Sequence, residues 1–429
     1  GLLPLSEGGL FHWHGRQNGP EIMVKGWGKP PIKYQTLNRL PYEKKRPAIK
    51  PCETRDKSAA DRADTKRKKR ITPLTEELHM PFARASKSTV GLDIGASSIK
   101  LVKLDHTKSG YAVSAIGIRE LPPEAIVADE IRDREAVIFN IQSLIDQTDP
   151  KIKNVVISLS GHGVITDRFT IDKKTGAEAE QAILFETEQR APFDVDDVSL
   201  DYHVVKVDDA ANKMDVLLVA ARKEFLQMQM EMIEDCGLRP VVVDDDALAI
   251  YNAYQYNYEV DPSKVTALVN IGADVTNLTY LVDGLYHSTR DVSAGTREIF
   301  NAVQKEFRLN PELTSKAIKG EMTDSIDQDM FKATIVSASD ELLAGIELAF
   351  SYFKSQSRVD TIDWIVLSGG GALTPYLPEL LQSKLSIPLE IANPLRKIDY
   401  DPELFQYIQP EKIAPLLAVS VGLAMRKVR

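Results

Sequence analysis

A carboxylate, four small residues and a lysine fall within eight positions in Asp93-Ile94-Gly95-Ala96-Ser97-Ser98-Ile99-Lys100. Small side chains let backbone N–H groups close on an anion, and the Ser97 and Ser98 hydroxyls add donors. Asp93, at the end of an apolar run, can hold Mg²⁺ through water beside a triphosphate, and Lys100 can supply a countercharge. The chemistry this spacing suits is phosphate binding. Taken alone, the motif fits a plain hairpin with a glycine tip equally well.

The same construction returns in residues 265–281, VTALVNIGADVTNLTYL. Gly272 and Ala273 stand where Gly95 and Ala96 stood, with Thr276 and Asn277 as side-chain donors. A third stretch, residues 361–381, runs TIDWIVLSGGGALTPYLPELL. Here a buried-type strand feeds Gly369, Gly370 and Gly371, then a turn through Leu373 and a helix. Glycines after a strand permit close backbone approach to a flat ligand such as adenine or ribose. In this order, the three stretches point to two related α/β domains clasping one nucleotide.

The elements that must position these residues are legible from periodicity. Val90, Leu92 and Ile94 alternate before the first loop, and Ile99, Leu101 and Leu104 resume after it. Residues 163–237 read as strand, helix, two strands, helix. The last helix carries Met228, Met230 and Met232 with Phe225 and Leu226, suited either to core filling or to a soft groove for a partner peptide. Asp244, Asp245 and Asp246 precede another helix, where an N-cap and dipole-favoured acids account for at least two of them. Ala294-Gly295-Thr296-Arg297 opens a further helix whose first amides are placed to approach a nucleotide.

Composition narrows the class. The 429 residues are 43% hydrophobic and 27% charged, ordinary for a folded chain of two or more domains. Two cysteines, Cys52 and Cys236, cannot build a disulfide framework, and a reducing compartment fits them better. The apolar run at 413–425 is broken by Pro415 and Ser420, and is shorter than the roughly 20 residues a spanning helix needs. Residues 1–79 hold 17 Lys and Arg against nine Asp and Glu, leaving 36 against 53 for the remainder. Residues 1–87 are therefore expected to be a basic, proline-rich, disordered extension. Its run Lys66-Arg67-Lys68-Lys69-Arg70 is read as solvated, with no nucleic acid expected, and Met80 is read as a natural start. No zinc-ligand spacing, nucleophile elbow or Walker-type loop occurs.

The order of elements resembles the actin/Hsp70/sugar-kinase ATPase fold, and within it the PilM family of type IV pilus assembly. The likeness is carried by VGLDIGASSIKLVKL from Val90, VVISLSGHGVITDRF from Val155 and FETEQRAPFDVDDVSLDYHVV from Phe185. It continues in MDVLLVAARKE from Met214, CGLRPVVVDDDALAIYNAY from Cys236, LSGGGALTPYLPELL from Leu367 and EIANPL from Glu390. It covers 88–429 and none of 1–79.

That resemblance implies an actin-like fold with domain I at 88–262, a small α+β domain inserted at about 163–237, and domain II at 263–429. It implies ATP with Mg²⁺, and a scaffold that binds the cytoplasmic N-terminal peptide of the inner-membrane protein PilN. Other pilus inner-membrane and motor components are further implied partners, with membrane contact indirect, a cytoplasmic location, and a homo-oligomer or ring allowed. Asp246 takes the position of a water-orienting acid. Gly295 and Thr296 fall in a turn where relatives usually carry Gly-Gly, so Ala294 departs slightly. Asn270 departs more, because relatives commonly place Asp there; the amide keeps the shape and loses the charge. Nucleotide binding with slow or absent hydrolysis is the expectation. An FtsA-like filament protein and a small-molecule kinase of the same superfamily remain as alternatives.

Overall fold

The computed structural model describes residues 88–128, 130–190, 194, 197–321, 326–405 and 409–428. The expectations about the extension, its basic run, Met80 and Cys52 lie outside these residues.

The first lobe opens with an antiparallel meander, β1 (Ser88–Ile94), β2 (Ser98–His106) and β3 (Tyr111–Glu120). A short hairpin, β4 (Ile126–Val127) and β5 (Glu130–Ile131), precedes helix α1 (Arg134–Thr148), which Asp133 caps through the Ala136 N–H. Strand β6 (Asn154–Leu159) then lies parallel to β1.

An inserted unit follows: β7 (Val164–Asp172), α2 (Ala177–Arg190), β8 (Val198–Asp208) and β9 (Lys213–Arg222). Its sheet order is β7-β9-β8. One face of that sheet packs Phe169, Val216 and Leu218 on Ile183 of α2. The other presents Leu217 and Val219 to the body of the protein. Helix α3 (Lys223–Asp235) leads back into the first lobe. The methionine-bearing helix divides its roles: Met232 and Ile233 are buried in the first-lobe core, while Met228 is exposed.

Strand β10 (Arg239–Asp245) extends the sheet to the order β10-β6-β1-β2-β3, with β16 (Asp399–Tyr400) beyond β3, and helix α4 (Asp246–Asn257) crosses to the second lobe. There β11 (Thr266–Ile271), β12 (Thr276–Val282) and β13 (Leu285–Val292) repeat the meander. Helices α5 (Arg297–Phe307), α6 (Pro311–Ile318), α7 (Gln328–Ala338) and α8 (Asp340–Ser357) follow. Then come β14 (Trp364–Gly369), α9 (Leu377–Leu385) and β15 (Leu389–Ile391). The second sheet runs β13-β12-β11-β14-β15. Its meander joined to two parallel strands matches β3-β2-β1-β6-β10, so the two lobes are one construction used twice.

The chain returns through β16 (Asp399–Tyr400) and α10 (Pro410–Ile413) to α11 (Ala418–Ala424). All seven residues of α11 are buried. A Cβ on Gly422 would fall 1.8 Å from the Ala249 carbonyl oxygen of α4, and one on Gly91 would fall 2.1 Å from Ser420 O of α11. Glycine at both points lets α11 press between sheet and crossing helix. Among the described residues no helix is long and apolar enough to cross a membrane.

Candidate functional site

Asp93 and Lys100 are direct cross-strand partners in the first hairpin, and Lys100 Nζ lies 3.3 Å from Asp93 Oδ2. The Gly95 N–H donates to Ser98 O at 3.1 Å and closes the loop. A Cβ on Gly95 would sit 3.1 Å from Lys100 Nζ, so the loop packs tightly over the ion pair. Ala96 and Ser98 are half-buried and Ser97 is exposed at the tip. Lys100, expected as a countercharge for phosphate, therefore has Asp93 as its own partner.

The second hairpin copies the geometry without the charges. Gly272 N–H donates to Val275 O at 3.0 Å, and the register that paired Asp93 with Lys100 here pairs Asn270 with Asn277. Asn270 Oδ1 accepts from Ser368 Oγ at 3.0 Å. Asn277 Nδ2 donates to Asp291 Oδ1 at 2.7 Å, and Thr276 Oγ1 donates to Ala294 O at 2.7 Å. Thr276 and Asn277, expected as donors to a phosphate, spend those donors inside the lobe because both are buried.

The turn at 294–297 also differs from expectation. The Thr296 and Arg297 amides donate to Gly272 O at 3.0 Å and Ala273 O at 2.9 Å, so they brace the loop from behind. A Cβ on Gly295 would lie 2.4 Å from Ala273 O, which fixes glycine there. Arg297 grips Asp274 with two nitrogens, and Asp274 in turn accepts the Ala128 N–H at 2.9 Å. Arg297 Nη2 donates to Ile126 O at 3.2 Å. Nearby, Ser315 Oγ and Lys319 Nζ both reach the Glu120 carboxylate. The segment 120–128 of the first lobe is thus tied across the cleft to the tip of the second loop. Periodicity gave no signal for Asp274, although Arg297 stood in the turn already singled out.

The three consecutive aspartates have three different environments. Asp244 is buried in an ion pair with Arg426, whose Nη2 donates to Asp244 Oδ1 at 2.6 Å. Asp245 caps α4 through the Leu248 N–H at 3.1 Å and accepts Thr166 Oγ1 at 3.0 Å; burial pushes its carboxyl up to about 7. Asp246 bonds Ser158, and burial followed by the Asp93 carboxylate raises its pKa well above the usual range. Asp245 and the second-lobe Asp291 add to that rise. Carboxylates from both lobes therefore act on Asp246, and Asp291 is one that no motif marked.

The glycine run is built mainly for packing. A Cβ on Gly369 (φ +82°) would meet Ile271 O at 2.4 Å, and one on Gly371 would meet the Ile271 side chain at 2.4 Å. Only Gly370 faces open space. A 3₁₀ turn, Gly370–Leu373, separates the strand from α9, with Leu373 half-buried. The matching stretch of the first lobe, Leu159-Ser160-Gly161, also ends in a positive-φ glycine, Gly161 at +74°. That repeat of Leu-Ser-Gly is readable in the sequence.

The family model of the type IV pilus assembly protein PilM matches residues 91–428. The chain belongs to the PilM family. A solved PilM–PilN type IV pilus biogenesis complex is 25% identical, with a TM-score of 0.65 over 80% of this chain and 98% of that one. The ethanolamine utilization protein EutJ from Carboxydothermus hydrogenoformans is 13% identical, TM-score 0.48, over 80% of this chain and 90% of that one. MreB5 of Spiroplasma citri bound to AMPPNP is 12% identical, TM-score 0.41, over 79% and 95%. This PilM-family chain has the actin-like α/β fold, with its two loop hairpins at equivalent places in the two lobes.

Proposed function

We propose that this chain is an ATP-binding scaffold of type IV pilus assembly, sited at the cytoplasmic face of the inner membrane through its partners. It binds the cytoplasmic N-terminal peptide of PilN and links it to the pilus machinery. We take 88–262 and 263–429 as its two domains, with the insert at about 163–237. The observation that carries the nucleotide half of this reading is the pair of equivalent glycine-tipped hairpins, one in each lobe, with the Asp93 and Asp291 carboxylates both acting on Asp246. The PilN half rests on family membership and on the complex named for a similar protein.

Magnesium fits the donor set. Asp93 and Asp246 offer hard oxygen ligands, and burial, followed by the Asp93 carboxylate, raises the Asp246 pKa. Among the described residues no group of three or more His, Cys, Asp or Glu could hold a metal by itself. Phosphate oxygens and water would therefore complete the shell, with Asp93 acting through water. The ion would supply charge neutralisation of the phosphates. Ala96, Ser97 and Ser98 offer backbone and hydroxyl donors from one lobe and Ala273 offers backbone from the other; Gly95 and Gly272 close the two tips, and Gly370 leaves room for the nucleoside. Asn270 contributes no charge, and turnover is slow on this reading.

A route from cleft to insert exists in hydrogen bonds. Thr166 of β7 bonds Asp245 beside Asp246, and Arg168 Nη1 donates to Tyr286 O of the second lobe at 2.7 Å. A nucleotide that fixes the lobes would also fix the insert. Titrating the full chain with PilN peptide, with and without Mg-ATP, tests this. Different affinities are expected; identical ones would remove the coupling and leave the adaptor role standing.

A further inference from the structure

One short segment of the first lobe, residues 120–128, is bonded to both loop tips. The Leu121 N–H donates to Ser97 O of the first loop at 3.0 Å, and the Ala128 N–H donates to Asp274 Oδ2 of the second at 2.9 Å. Between these points Ile126 O accepts Arg297 Nη2 of the second lobe at 3.2 Å. At the start of the segment, Glu120 meets Ser315 of α6 and Lys319 at the C-terminal cap of that helix. The segment therefore holds the second lobe at both of its ends.

Its own build is stiff. Leu121, Ala125 and Ile126 are buried in the first-lobe core, so the segment moves with that lobe. Pro122 and Pro123 fix φ at two successive positions, and the Ala125 N–H closes the turn on Pro122 O at 3.2 Å. Ala125 O accepts the Arg132 N–H at 2.9 Å and the Asp133 N–H at 3.1 Å, which joins the turn to the start of α1. Glu124 (φ +65°) and Ala128 (φ +50°) occupy the left-handed region, which residues other than glycine keep only where their surroundings hold them. The first-lobe side of the segment is thus apolar and anchored. Its second-lobe side is a small set of polar bonds whose charged groups are partly open to water. Separating the lobes breaks those bonds and leaves the anchor intact.

We propose that residues 120–128 are a strap that latches the second lobe to the first and sets how fast a nucleotide enters and leaves between the two loops. The proposal rests on the nucleotide-binding reading and names how that site is regulated. The strap's bonds are made wholly by the chain's own groups, so they oppose separation of the lobes with or without nucleotide. Weakening them speeds entry and release together and leaves the equilibrium affinity nearly unchanged, which loss of a phosphate contact does not do.

The test uses the full chain and a fluorescent ATP analogue with Mg²⁺, with association and release followed by stopped flow and thermal melts as a folding control. Glu120→Lys and Lys319→Glu each set like charges together, and each should speed both rates roughly threefold or more. Combining the two swaps restores an opposite pair and should bring both rates back toward wild type. Glu120→Gln, a milder break, should move the rates the same way by a smaller factor. A direct charge effect on the nucleotide would instead shift the two single swaps in opposite directions, and that result would overturn the latch. So would unchanged rates in all variants, or faster release with unchanged association; in each of these cases the nucleotide-binding reading survives. If wild type binds no analogue, that reading falls and the strap's role with it.

Discussion

Lys100 holds its ammonium 3.3 Å from the Asp93 carboxylate across the first hairpin, whereas the same register in the second hairpin sets Asn270 opposite Asn277. One lobe thus brings a charged pair to the cleft and its structural copy brings a neutral one. The second lobe's Asp291 is already engaged by Asn277, and its Asp274 by Arg297. This asymmetry is the physical basis for expecting a nucleotide that is held rather than turned over.

The Asp274–Arg297 grip should matter to affinity. Arg297→Gln leaves Asp274 at the loop tip without its cation, close to where phosphates would lie, and removes the tie to Ile126. Nucleotide affinity at low salt should fall roughly tenfold. Adding Asp274→Asn to Arg297→Gln should recover part of it. Equal affinity in all three proteins, measured by fluorescent-nucleotide titration, would show that the loop tip does not face phosphate.

Stability should carry the signature of Asp245. Its folded pKa is raised to about 7 above its ordinary value, so its contribution is fully present below about pH 4 and is lost as pH rises toward 7. Asp245→Asn keeps an N-cap and removes the buried charge. The variant should melt at a temperature close to wild type near pH 4 and above it at pH 8, by a margin worth at most about 4 kcal/mol. A margin that does not grow with pH would mean Asp245 is not the group responsible.

Gly422→Ala inverts the usual rule. Alanine in a helix interior normally gains about 1 kcal/mol over glycine. Here its Cβ would sit 1.8 Å from Ala249 O, so α11 must move off the crossing helix. A net loss of about 1–3 kcal/mol in chemical denaturation is expected; a stabilised variant would contradict the close α4–α11 contact.

Much of the fold was legible because two local signals agreed. Alternating apolar residues bracketed the glycine tips at Gly95 and Gly272, and the same spacing marked both hairpins as one construction. A helix cap among Asp244, Asp245 and Asp246 followed from their place before Ala247 and Leu248, but which of the three caps did not. What stayed hidden depended on partners far along the chain. Asp244 and Arg426 are 182 positions apart, and no local pattern announces their pairing. Asp291 lies at the end of β13, and it reaches the cleft only because the second sheet is folded. The inward turn of Thr276 and Asn277 was hidden too, since a donor's direction depends on which face of the strand is buried.

The central claim, a nucleotide clasped with little hydrolysis, is tested most directly by the identity of the bound nucleotide. The full chain and its Asn270→Asp variant are loaded with excess Mg-ATP, desalted, held for some hours and analysed by chromatography of the released nucleotide. The wild type should still carry ATP, while Asn270→Asp, which restores a carboxylate beside Ser368, should carry mostly ADP. ADP on the wild type, or no difference between the two proteins, would contradict the account.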